Sequence, residues 1–142
     1  MQKLRSVLLV DDDPTNNFLN QRLLKRLDVA DEVVVAENGQ DALALLQLAD
    51  NAALPSFPSL ILLDIQMPIM NGIEFLQAYE LLPAAWRRNT TVVMLSTSVD
   101  ARDLSQLETL PVTGRISKPL TPEKLATVLQ LHFEQQQPDQ AF

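Results

Sequence analysis

Leu60-Ile61-Leu62-Leu63-Asp64-Ile65-Gln66-Met67-Pro68-Ile69-Met70-Asn71-Gly72 is the stretch whose reading decides the fold of this chain. Four apolar residues run without interruption into one carboxylate, and turn residues follow at Pro68 and Gly72. A short unbroken apolar run bounded in this way predicts a strand buried on both faces. Such strands usually pair in parallel, with helices covering both sides of the sheet. A carboxylate at the carboxyl end of such a strand stands where open α/β sheets bind ligands. Taken alone, Asp64 reads equally well as a cap for the next turn or helix. The rest of the chain decides between the two.

Outward towards the N-terminus, Ser6–Val10 is a second β-branched apolar run, ended by Asp11, Asp12 and Asp13. Pro14 suits the first turn of a helix, with Asp13 as its N-cap. Phe18, Leu19, Leu23, Leu24 and Leu27 recur at helical spacing, so a helix is expected from Pro14 to Leu27. Glu32–Ala36 reads as a strand, Asn38-Gly39 as a turn, and the Ala/Leu-rich Gln40–Leu48 as a helix. Residues 49–59 hold two prolines and read as a loop.

Outward in the other direction, a helix is expected after Gly72 as far as about Leu82, where Pro83 stops it. Ala84–Asn89 reads as a connection and carries the single tryptophan, Trp86. Thr90–Leu95 is a strand running into Ser96-Thr97-Ser98, and Asp100–Leu110 a more polar helix. Gly114–Ser117 is a short strand followed by Lys118-Pro119. Thr121 and Pro122 open the last helix, which ends near Phe133. Residues 1–134 are expected to form one domain, and the Gln-rich residues 135–142 a disordered tail. Strand and helix alternate five times. The expected fold class is therefore α/β, a doubly wound (βα)5 flavodoxin-like three-layer sandwich. Its five-stranded parallel sheet has the order 2-1-3-4-5.

Composition narrows the function. The chain has 142 residues, 46% of them hydrophobic, which suffices for one well-cored domain. It has no cysteine, which excludes thiolate chemistry and disulfides, and its one histidine, His132, is too few for a histidine metal site. A net charge of −7 argues against a nucleic-acid partner. No apolar run approaches the ~20 residues of a membrane span, and the first apolar run is too short for a signal peptide. A cytoplasmic protein without membrane contact is expected.

The strand ends collect Asp11, Asp12, Asp64, Ser96 and Lys118. Three carboxylates brought together repel unless a cation sits among them, and Mg2+ accepts carboxylate and water oxygens. Acids, a cation, a lysine and a hydroxyl suit a transferring phosphoryl group. A carboxylate can itself be the nucleophile. Each residue also has a plainer reading: Asp13 as a helix cap, Ser96 as a turn residue, Lys118 as a surface lysine. None of these explains three Asp residues after a buried strand.

Four segments together resemble the receiver domain of two-component response regulators: Val7-Leu8-Leu9-Val10-Asp11-Asp12, Leu63–Gly72, Val93-Met94-Leu95-Ser96, and Ser117-Lys118-Pro119-Leu120. The resemblance runs from about Lys3 to Phe133, and the chain resembles stand-alone regulators of the chemotaxis type. It implies that Asp64 is the phosphoacceptor, that Asp12 binds Mg2+ directly and Asp11 through water, and that the Gln66 carbonyl is a further ligand. It implies that Ser96 and Lys118 bind phosphoryl oxygens and that the Lys118-Pro119 bond is cis. It implies a histidine kinase or histidine phosphotransfer protein as donor and a downstream protein, or a phosphorelay, as output. The only catalysis implied is the domain's own aspartyl phosphorylation and dephosphorylation.

The chain also departs from the family. Arg115 occupies the position where many receivers carry an aromatic that swings inward. A guanidinium suits burial poorly, so Arg115 is expected on the surface formed by the 100–110 helix, the 114–117 strand and the last helix. There it would contact a partner or a second copy in a homodimer. Gln66 and Ser98 stand where the family tunes water access, and Thr97 is larger than the residue often found there.

Two other functions remain open at this point. Asp11-Asp12-Asp13-Pro14-Thr15 fits the opening motif of haloacid-dehalogenase-like phosphatases, with Asp11 as nucleophile. Alternatively the chain is a receiver-like binding module that works without phosphorylation.

Overall fold

A computed structural model describes residues 3–50, 58–97 and 101–133. The elements run β1 (Leu4–Val10), α1 (Pro14–Arg26), β2 (Ala30–Ala36), α2 (Gly39–Asp50), β3 (Leu60–Asp64) and α3 (Gly72–Tyr79). They continue with α4 (Ala84–Arg87), β4 (Thr91–Ser96), α5 (Ala101–Leu107), β5 (Gly114–Ser117) and α6 (Pro122–His132). The five strands make one parallel sheet in the order β2-β1-β3-β4-β5. This is the expected order. β3 lies at its centre and is buried along its whole length, which is why its sequence is apolar on both faces.

The two-residue period of the strands splits the core in two. Leu8, Val10, Ile61, Leu63, Val92 and Met94 pack with Ala42 and Leu46 of α2, Phe75 and Leu76 of α3, and Leu107 of α5. On the other side of the sheet, Val7, Leu9, Leu60, Leu62, Val93 and Leu95 pack against Leu24 of α1 and Leu125, Val128 and Leu129 of α6. Asp64 continues the register of Leu60 and Leu62, so it belongs to the α1–α6 side of the sheet.

The caps follow the sequence. Asp13 accepts from the Thr15 and Asn16 amides at the start of α1, and Thr121 accepts from the Lys124 amide at the start of α6. Several boundaries differ from expectation: β1 and β2 each begin two residues earlier, at Leu4 and Ala30, α2 runs on to Asp50 into the expected loop, and α5 ends at Leu107. α3 ends at Tyr79 rather than near Leu82, because the Leu81 and Leu82 amides turn back to Ala78 and Tyr79. The expected connection at Ala84–Asn89 contains the helical turn α4, set by the Trp86 amide donating to Pro83. Arg87 then stacks over the Tyr79 ring and donates to Leu82 O, tying this turn to α3. The expected tail at 135–142, most of the expected 49–59 loop and Ser98 lie outside the described residues. Among the described residues, no helix is long and apolar enough to cross a membrane.

Candidate functional site

β1 and β3 are neighbours, and their ends bring three carboxylates together. One oxygen each from Asp11, Asp12 and Asp64 lies within 4.8 Å of the others. Asp11 and Asp64 are buried and Asp12 is exposed, so the cluster faces solvent on one side only. Lys118 enters from the end of β5. Its Nζ donates to Asp11 Oδ2 at 3.1 Å and lies 3.4 Å from Asp64 Oδ1. Ser96 closes β4 beside them, buried, and its carbonyl accepts from the Lys118 amide at 2.8 Å. The Lys118–Pro119 bond is cis.

The local chain explains these positions. Asp11 continues β1 through its amide, which donates to Ala36 O on β2. Its Oδ1 accepts from the Asp13 amide, and its carbonyl accepts from Asn17 Nδ2 at 2.7 Å. Asn17 is buried on α1, and among the described residues no group hydrogen-bonds its Oδ1. Sequence reading passed over Asn17, although its seven-residue spacing from buried Leu24 places it on the inner face of α1.

Electrostatics follow the crowding. Burial pushes the Asp64 carboxyl above its usual range, Asp11 adds to this, and Lys118 opposes it. Burial pulls Lys118 down, but its hydrogen bond to Asp11 and the two carboxylate charges outweigh that, and its pKa is raised. One lysine thus offsets part of the repulsion among three acids. The donor set of three carboxylates, with neither histidine nor cysteine, fits a hard divalent cation such as Mg2+.

Two cavities flank the cluster. One of about 520 Å3 is lined by Asp12, Gln66, Met67, Asn71 and Asp103, so Gln66 and Asp12 share a solvent-filled recess. The other, about 700 Å3, lies between α1 and the segment after β5. Lys118 lines it with Leu19, Leu23, Leu95 and Leu120, and it holds none of the three acids. Arg115 is exposed on β5, away from the cluster.

Comparison with known proteins decides what this arrangement is. Residues 7–130 match the family model of the response regulator receiver domain. The chain belongs to that family. The receiver domain is 33% identical to the two-component response regulator ORR41 of Oryza sativa over 90% of this chain and 94% of that protein. It is 34% identical to the autoinducer 1 sensor kinase/phosphatase LuxN of Vibrio campbellii over 87% of this chain. It spans only 13% of the length of LuxN. Among solved structures, a two-component response regulator from Cytophaga hutchinsonii superposes with a TM-score of 0.77 at 31% identity, covering 94% of this chain and 99% of that one. Receiver domains are in general signalling modules of two-component phosphorelays rather than enzymes, and they bind Mg2+ at an acidic pocket. The Asp11, Asp12 and Asp64 cluster fits the site of their aspartyl phosphate.

Proposed function

We propose that Asp64 accepts a phosphoryl group from the phosphohistidine of a histidine kinase or histidine phosphotransfer protein. The observation that carries this reading is Lys118, which bridges buried Asp64 and Asp11 from the end of β5, two places from β3 and three from β1 in the sheet. A carboxylate oxygen of Asp64 attacks phosphorus, the phosphorus–nitrogen bond of the donor breaks, and the imidazole nitrogen leaves with the electron pair. Asp11, Asp12, Asp64 and the Gln66 carbonyl would hold Mg2+, which would supply charge neutralisation for the phosphoryl oxygens. Lys118 is positioned to exchange its contact with Asp64 for one with a phosphoryl oxygen. The Ser96 hydroxyl donates to another. Water later attacks phosphorus and restores the Asp64 carboxylate. The acyl phosphate shifts the population of the face formed by α5, β5 and α6, which binds another protein or passes the phosphoryl group onward.

Incubation with acetyl phosphate and Mg2+, read by intact mass, tests this. Wild type gains one phosphoryl group and Asp64→Asn gains none. Labelling that survives in Asp64→Asn but is lost in Asp11→Asn would make Asp11 the nucleophile, as in the phosphatase reading. Wild type that accepts no phosphoryl group from any donor would favour a binding module that works without phosphorylation.

A further inference from the structure

The lysine that pairs with Asp64 is itself held. Lys118 stands one residue past the end of β5, which is an edge strand. On one side its amide donates to Ser96 O on β4. A trans peptide points its N–H and its C=O in opposite directions, so Ser117 O, in the same peptide unit, points off the sheet. An outward carbonyl on an edge strand has no strand to accept from. Lys124 of α6 supplies the donor. Its Nζ donates to Ser117 O at 2.8 Å, to Ser117 Oγ at 3.2 Å and to Pro119 O at 3.1 Å. The three protons of an ammonium thus meet three acceptors, and these flank Lys118 on both sides. The root of Lys124 is fixed as well: its amide caps onto Thr121 Oγ1, and the next residue, Leu125, is fully buried.

We propose that Lys124 is a positioning residue, which holds Lys118 in the geometry that receives a phosphoryl oxygen beside Asp64. The proposal rests on the receiver reading of the site given above. Lys124 acts through the Ser117–Pro119 backbone, and none of its three bonds reaches the acidic cluster. A clasp that merely fastened α6 to β5 would affect stability alone. The two roles separate according to which ion the site loses. The cation is held by carboxylates on the β1 and β3 ends, which Lys124 does not touch. The anion is held in part by Lys118.

Beryllofluoride, a phosphoryl mimic, is titrated in saturating Mg2+ by fluorine NMR, and Mg2+ alone is titrated by calorimetry. Lys124→Met weakens beryllofluoride binding about three- to tenfold, as expected for a displaced charged hydrogen bond. Its affinity for Mg2+ does not fall, because Lys124 touches none of the carboxylates and a Lys118 drawn away from Asp11 and Asp64 leaves them freer for the cation. Lys124→Arg keeps the charge in a different donor geometry and falls between the two. That variant also carries the comparison should Lys124→Met not fold. Equal loss of both ions, or unchanged beryllofluoride affinity in Lys124→Met, overturns the proposal. Wild type that binds Mg2+ but no beryllofluoride overturns the receiver reading itself, and the proposal with it.

Discussion

Gly72 shows how one residue sets the position of the site. A Cβ added there would lie 2.5 Å from Asp64 O and 2.7 Å from Ile65 Cα, both backbone atoms that cannot rotate away. The Gly72 amide also donates to Ile65 O at 2.7 Å, so the start of α3 rests directly on the end of β3. Gly72→Ala must push the two apart. It is expected to lower stability in urea denaturation by about 1–3 kcal/mol, the range of an overpacked core. Because the displaced atoms include the Asp64 carbonyl, beryllofluoride affinity should fall with it. Unchanged stability and unchanged affinity would show that the turn absorbs a methyl freely. The sequence marked Gly72 as a turn residue, but the close approach depends on where the chain returns after Ile69, which a linear pattern does not carry. Asp64, Asp11, Asp12 and Ser96 were legible because each follows an apolar run that reads as a strand, and Lys118 because it stands with Pro119 just after the short Gly114–Ser117 strand. Asn17 and Lys124 were not singled out, since each is bonded to backbone groups whose positions emerge only with the fold.

At the scale of elements, the strands were legible where burial is symmetrical. β3 reads as a strand because both of its faces are covered, and β5 was placed at its observed bounds by the turn residues around it. The helix ends were harder. Pro83 predicts a stop, but Tyr79 is buried, stacks on Phe75, and takes Arg87 over its ring, so the chain turns before the proline is reached. That is tertiary packing overriding a local signal. β5 poses a different question. It is short, it lies at the sheet edge, and it carries exposed Arg115 beside a cavity lined by Met94, Leu104, Leu107 and Glu108. An exposed guanidinium on an edge strand suits a contact with another chain. Arg115→Ala is expected to leave the melting temperature unchanged and to reduce self-association of the beryllofluoride-loaded protein in sedimentation. Loaded Arg115→Ala that associates as wild type does would remove Arg115 from the contact face.

At the scale of the whole molecule, the acidic cluster sets function against stability. Asp64 is only 7% exposed, and burial together with Asp11 raises its pKa despite Lys118. A raised pKa means that the folded chain holds the proton more tightly than the unfolded chain does. Ionising Asp64 therefore opposes folding. The penalty is absent below the ordinary value of 3.8, grows as pH rises through the higher folded value, and is complete above it. Asp64→Asn removes the charge and keeps the shape. Without Mg2+, it should melt above wild type at pH 7, and the gain should shrink towards zero as pH falls below about 4. Saturating Mg2+ should raise the wild-type melting temperature at pH 7 by supplying the missing counter-charge, with about 2.7 kcal/mol of stabilisation at a hundredfold excess over its Kd. The same Mg2+ should do less for Asp64→Asn, which has lost one carboxylate. Calorimetric melts across pH, with and without Mg2+, measure all of these. An Asp64→Asn protein that melts below wild type at pH 7 would mean that Lys118 more than compensates for burial, and that the cluster is a source of stability rather than a strained receptor for a cation and a phosphoryl group.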